Sequence, residues 1–413
     1  MLVLQPARKR RDSGARIGLA IAGGGPIGGM YELGALRALD EAIEGLDLTR
    51  LEVYVGVSSG AFLAAGLANR MSTAEMCRIF ITGDADDEVV FNPASFLRPA
   101  VFEYLRRAAG VPRLLLEWAG AALRRPGEAR LSAAINHFGG ILPTGLFDNS
   151  GVEEFLRRIF TSRGRSNDFR ELARPLFVIA VDLDTGSAVR FGDAGWDDVP
   201  ISQAIQASSA LPGLYPPVEI RGRHFVDGAL RRTMHASVAL DHGIDLLLAN
   251  NPLVPYDASV GATRPHEEQD KLSEGGLPMV LSQTFRTLLQ SRVEVGLAKY
   301  AEKYPDVDQI VFEPNPADEE MFFTNVFSFS SRRRVCEHAY RTTLRDLAKR
   351  RDELAPLLAR HRLRLREEVL ANPERSLLDG LGDAPRSTET TARLRRALDD
   401  VDALLSRRRA RRR

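Results

Sequence analysis

The chain has 413 residues, so one large domain with additions, or two domains, is expected rather than a single core of about 100–200 residues. Hydrophobic residues at 44% and charged residues at 27% exclude a mainly disordered or fibrous chain. The 56 Lys and Arg against 55 Asp and Glu leave a formal charge of +1, which argues against bulk nucleic-acid binding.

The chain opens with a very short apolar stretch followed by four basic residues, Arg8 to Arg11. A secretory signal runs in the opposite order, so residues 1–15 read as a basic tail. Residues 16–22 form a short apolar run ending in glycines, as a buried parallel strand does. In residues 28–43 the side chains Met30, Leu33, Leu36, Leu39 and Ile43 recur at threes and fours, the stripe of a helix. Residues 51–55 make a second strand that runs into Gly56-Val57-Ser58-Ser59-Gly60 and a small-residue helix through Leu67. Strand, glycine turn and helix, twice over, predict a parallel sheet with helices on its faces. The longest uncharged run, Val53 to Asn69, has 17 residues and falls short of the ~20 that a membrane span needs.

Residues 72–170 read as a helical insertion. Within it, 96–125 alternates apolar and arginine positions, the pattern of a packing helix or of a lid that meets lipid. Strands resume at 175–181, 224–226 and 245–249, closing an α/β unit over 16–252. Beyond it, 253–405 reads as a mainly helical extension, with stretches at 281–303 and 331–370 and a last amphipathic helix around Leu394, Leu398, Val401 and Leu405. Residues 406–413 hold six arginines in the last seven positions, a solvated end that anionic lipid would attract. Cys77 and Cys336 match no metal-ligand spacing and make no disulfide framework, so no metal site is expected.

Gly23-Gly24-Gly25-Pro26-Ile27-Gly28 closes a strand and opens a helix, where amides favour anionic charge. It also fits a dinucleotide fingerprint, but that reading needs an acidic residue at the end of the next strand, which here ends Val55-Gly56-Val57-Ser58. Gly56 to Gly60 matches G-x-S-x-G, a sharp strand-to-helix turn that presents its central serine, Ser58 rather than Ser59, above the carboxyl edge of the sheet. A serine needs a base. None of the seven histidines has a triad-like setting, whereas Asp227 ends a short strand and is followed by Gly228 and Ala229. A strand-end carboxylate can take the proton directly; the plain alternative for Asp-Gly is a hairpin turn.

At this point the sequence resembles the patatin-like phospholipases. Three blocks match in order: Gly23–Gly28 as oxyanion loop, Gly56–Gly60 as nucleophile elbow, and Asp227-Gly228-Ala229 as the Asp-Gly-Gly/Ala motif. Residues 181–186 and 204–217 also resemble the family's connecting stretches, and the likeness covers roughly residues 16–252. One departure is Ile27, where the family usually has Arg or Lys, which leaves the amides, of Gly24 and Gly25 foremost, to hold an oxyanion. The resemblance implies a three-layer α/β/α core with a mainly parallel sheet. It implies a Ser58–Asp227 dyad that hydrolyses lipid or other carboxylic esters without metal or organic cofactor. The expected setting is cytoplasmic, with room for peripheral contact at the inner membrane face. The competing readings are a membrane-associated scaffold with little turnover and an acyltransferase using the same acyl-enzyme.

Overall fold

The computed structural model describes residues 1–8, 16–83, 91–101, 104, 143–162, 164–259, 272–324 and 331–381. Most of the arginine-studded stretch 96–125, the final leucine helix and the 406–413 tail lie outside these residues.

Nine strands make one sheet: β1 (Leu2–Gln5), β2 (Ile17–Ile21), β3 (Val53–Val57), β4 (Leu176–Asp182), β5 (Ala188–Phe191), β6 (Val218–Ile220), β7 (Arg223–Asp227), β8 (Leu246–Asn250) and β9 (Asp308–Phe312). Their order is β1-β9-β8-β2-β3-β4-β7-β6, with β5 also paired to β4. The neighbours β9, β8, β2, β3 and β4 run parallel to one another, while β1, β5, β6 and β7 join antiparallel.

Strand side chains alternate between faces, and here both faces are apolar. Leu19, Ile21, Tyr54, Val178 and Leu248 point to one side. There they pack against α1 (Gly25–Ala42), α2 (Ser59–Ala68), α3 (Ser150–Phe160), α4 (Ile201–Ser208) and α6 (Arg332–Lys349). Ala20, Val55, Val57, Ile179 and Leu247 point to the other side, under the short helix Ser237–Asp241 and α5 (Gly276–Lys303). The result is the three-layer α/β/α arrangement that the alternation of strands and helices predicts.

The structure adds strands that the sequence reading did not assign, β5 and β6 within the core unit and two more outside it. Residues 2–5, assigned to a basic tail, form an edge strand against β9, and β9 itself carries the sheet into the region read as a helical extension. That region also supplies α6, which lies against α1; a Cβ at Gly34 would strike the Cys336 carbonyl oxygen, so this crossing is too close for any larger residue. Cys77 and Cys336, far apart in sequence, are buried with their thiols in hydrogen-bonding contact.

One register detail positions the site. β5 occupies one edge of β4, from Val178 to Val181. On the opposite edge β3 ends with Val57 across from Ile179, and β7, running the other way, ends with Asp227 across from Ala180. Two strands therefore meet end to end at consecutive residues of β4. Gly228 sits at the junction, where a Cβ would overlap the Ile179 carbonyl oxygen and lie 3.0 Å from Val57 Cγ1. Gly228→Ala is expected to lower the unfolding free energy by about 1–3 kcal/mol, as overpacking does. Urea denaturation checks this; an unchanged midpoint would mean that the junction has room.

Candidate active site

Ser58 stands at the N-cap of α2 with φ 49° and ψ −122°, a backbone state that non-glycine residues rarely adopt and that costs about 1–3 kcal/mol. Its neighbours must be small. A Cβ at Gly56 would lie 2.5 Å from Ala61 Cα, and one at Gly60 would overlap the carbonyl oxygens of Ile21 and Ala22. The turn is tied to the sheet by Ser208: the Ser58 N–H donates to Ser208 Oγ at 2.8 Å, and that hydroxyl donates to the Ile179 carbonyl at 2.6 Å.

The Ser58 hydroxyl lies beside the Asp227 carboxylate and pulls its pKa down, and both residues line one cleft. Asp227 is almost wholly buried, and its carboxylate accepts the Ala229 N–H at 2.9 Å, while its own N–H donates to the Ala210 carbonyl at 3.0 Å. Burial raises its pKa from 3.8 to about 6, against the opposing pull of the Ser58 hydroxyl and the Ala229 N–H.

The glycine-rich segment completes the site. A Cβ on Gly23 would lie 2.9 Å from Ser58 Cβ and 3.3 Å from Ala229 Cβ, so one residue of each of the three motifs meets at a single point. Gly25 adopts φ +63°, and open space faces its α-carbon. Gly24 departs from the sequence expectation. Its N–H donates to Ser59 Oγ at 2.9 Å, and Ser59 Oγ donates in turn to Glu32 Oε2 at 3.3 Å. Ser59 thus braces the loop rather than standing free, and burial pushes the Glu32 carboxyl well above the ordinary range. Gly28 donates back to the Gly24 carbonyl at 3.1 Å as α1 begins, and Pro26 has no N–H. The Ile27 side chain packs into the core among the apolar residues of α1 and does not reach the cleft.

Gly25 and Ser59, the first residues of α1 and α2, line the cleft with Ser58, so two helix starts lie beside it; the next N–H groups of α2, those of Gly60 and Ala61, are taken by the Ala22 and Ser58 carbonyls. The cleft measures about 120 Å³ and is walled by apolar side chains including Met30, Leu33, Phe62, Phe80, Phe96 and Leu214. Among the described residues no histidine lines it. His224 is exposed; His235 is buried, with Nε2 3.3 Å from the Gly228 carbonyl oxygen. Burial first, then nearby arginine charge, lowers His235 to about 4, so it is neutral. Glu32 and Ser208, not singled out from sequence as site residues, belong to the supporting structure; Ser208 lies in the Ala204–Pro217 run noted there.

The patatin-like phospholipase family model matches residues 19–240, over half of the chain, and spans all three motifs. The chain belongs to the patatin-like phospholipase family. Family membership points to lipid ester hydrolysis in general. A curated relative, the uncharacterized NTE family protein MT2641 of Mycobacterium tuberculosis, is 28% identical over 239 residues. That match takes in 56% of this chain and 29% of the relative, so the chain spans less than a third of that protein's length. Among solved structures, VipD from Legionella pneumophila is similar at 15% identity and a TM-score of 0.31, covering 87% of this chain and 82% of VipD. The ExoU–SpcU complex of Pseudomonas aeruginosa is similar at 17% identity and a TM-score of 0.27, covering 97% and 76%.

The raised Asp227 pKa makes a stability prediction. The folded state holds this proton more tightly than the unfolded chain, so the buried carboxyl favours folding below about pH 4 and opposes it as pH rises through about 6. At about 1.4 kcal/mol per pKa unit, the ionised form opposes folding by roughly 2–3 kcal/mol at pH 8. Asp227→Asn should therefore be more stable than wild type at pH 8, with the gain shrinking toward pH 4. Urea titrations at the two pH values check it, and a variant equally destabilised at both would contradict the assigned environment.

Proposed function

We propose that the chain is a serine acyl hydrolase that cleaves carboxylic esters of lipids through a Ser58–Asp227 dyad. The observation that carries this reading is the Ser58 hydroxyl beside a buried aspartate in an apolar cleft that no histidine lines among the described residues.

Ser58 Oγ attacks the ester carbonyl carbon while Asp227 takes the hydroxyl proton. An aspartate of ordinary pKa is a weak base at neutral pH, and a value near 6 brings it closer to the working range. The carbonyl oxygen becomes an oxyanion and receives the N–H groups of Gly25 and Ser59, donors fixed by the starts of α1 and α2. The Ser58 amide is engaged with Ser208 and the Gly24 amide with Ser59, so neither takes this role. Collapse breaks the bond to the alcohol, which leaves with the proton held by Asp227, and the acyl group stays on Ser58. Asp227 then deprotonates a water that attacks the acyl carbon; the acid leaves and Ser58 recovers its proton. The apolar walls receive an acyl chain and keep bulk water from the dyad.

The reading predicts that Ser58→Ala abolishes p-nitrophenyl ester turnover and fluorophosphonate labelling, while Ser59→Ala still labels. Asp227→Asn should lose several orders of magnitude in kcat with the fold intact, and His224→Ala should keep most activity. The kcat/KM profile should rise with unit slope through about pH 6 and then level off, because only ionised Asp227 accepts the proton. Equal labelling of wild type and Ser58→Ala would refute the assignment. A His235→Ala enzyme that is inactive but melts normally would point to a histidine base.

A further inference from the structure

Helix α5 is apolar on two sides. Its inner stripe, Leu289, Val293 and Leu297, is buried, and Val293 and Leu297 pack against the sheet. Its outer side carries Leu277, Val280, Leu281, Leu288 and Val295, which make up half of the exposed large hydrophobic residues among those described. Leu277 is 70% exposed, Leu281 56% and Val295 54%. At 100° per residue, positions 277, 281, 288, 292, 295 and 299 fall within about 60° of one another. Thr284 and Glu302 lie about 20° to one side of the same line, so the outward stripe is apolar through Leu288, with Val295 beyond it, and carries Arg292, Lys299 and Glu302 in its second half. A solvent-facing stripe of this kind on a helix already packed on its other side marks a surface that something covers.

The charge beside the stripe says what. Arg292 and Lys299 share a cleft of about 330 Å³ with Arg231 and Arg232, from the turn that follows β7. Among the described residues no Asp or Glu lines this cleft and none of the four cations has an ion-pair partner; Arg292 and Arg231 donate only to the carbonyls of Leu230 and Gly186. The two carboxylates of α5, Glu294 and Glu302, lie outside the lining. The same positive field helps keep His235 uncharged. Clefts lined by one sign of charge concentrate counter-charge, and guanidinium groups fit phosphate oxygens.

We propose that the outer face of α5 and the Arg231–Arg232 turn form a docking surface for an anionic lipid bilayer. The apolar stripe enters the interface and the basic cleft receives the phosphate of a lipid headgroup. The occupant follows from charge complementarity, and the inference rests on the lipid-hydrolase reading above. Position agrees with it: α5 begins at the carboxyl edge of the sheet, where Gln283 meets Tyr256 and Gln290 meets Asn251, next to the Pro252 ring that packs on Gly24 of the oxyanion segment. Docking there brings a bilayer to the edge where Ser58 stands.

Flotation with neutral phosphatidylcholine vesicles and with vesicles containing phosphatidylglycerol tests the surface. Arg232→Glu with Lys299→Glu should lower partitioning onto the anionic vesicles about a hundredfold and leave the weak neutral binding unchanged. Leu281→Ser with Leu288→Ser should lower both, and each pair should keep wild-type turnover of a soluble p-nitrophenyl ester. Ser58→Ala should float like wild type, which separates failure of this proposal from failure of the hydrolase reading. Variants that fold and float like wild type would overturn the proposal. So would a concentration-dependent dimer in sedimentation that the leucine pair dissolves, since the stripe would then be covered by a second copy. Tight binding of inorganic phosphate in the cleft without any preference for anionic vesicles would likewise overturn it, in favour of a free anion.

Discussion

The structure depends on how β4 is shared. A strand has two edges, and on one of them β4 accepts β3 over its first half and β7, reversed, over its second. Neither strand can extend without striking the other, so each must leave the sheet at the same level. β3 leaves through the Ser58 turn into α2, and β7 leaves through Asp227 into Gly228. Ser58 and Asp227 come together because two strands run out of room at Ile179 and Ala180. The β2 turn lies close on the other flank of β3, and Gly23 fills the gap between Ser58 and Ala229. The small residues of the three motifs follow from this crowding.

The same packing sets the chemistry. Burial that closes the junction removes water from Asp227 and raises its pKa, which makes it a better base and opposes folding at neutral pH. Ser58 adds backbone strain at the same point. Such a cost is held in place by surrounding order. Here the order includes Ser208 bridging the Ser58 amide to β4, and the Gly24–Ser59–Glu32 chain bracing the glycine-rich loop. The two helix starts, at Gly25 and Ser59, line the same cleft.

Much of this was legible in the sequence because the central strands and the motifs report local constraints. Residues 16–22 and 51–55 are apolar runs that end in glycine, and only a turn with close backbone approach needs glycines at 56 and 60. The Asp-Gly-Ala block was legible through family resemblance; as a lone dipeptide it reads as a hairpin. What escaped depends on contacts between distant segments. Ser208 holds a residue 150 positions away, Glu32 is recognisable only once α1 and α2 start side by side, and Cys77 meets Cys336 only because α6 lies on α1. Strands β1 and β9 escaped for a different reason. Each is short and flanked by polar or basic sequence; β9 becomes a strand by pairing with β8, and β1 by pairing with the free edge of β9. The loop amide at Gly24 looked free because its acceptor, the Ser59 hydroxyl, lies in another motif.

The central claim is spatial: the meeting of β3 and β7 on β4 makes Ser58 the reacting atom and aims the amides of Gly25 and Ser59 at the charge it generates. A crystal structure of the chain inactivated with a fluorophosphonate tests this most directly. The account predicts phosphorus bonded to Ser58 Oγ, the phosphoryl oxygen within hydrogen-bond distance of the Gly25 and Ser59 nitrogens, and the alkyl group in the cleft beside Phe62 and Phe80. An adduct on another side chain, or a phosphoryl oxygen turned away from both amides, would contradict it.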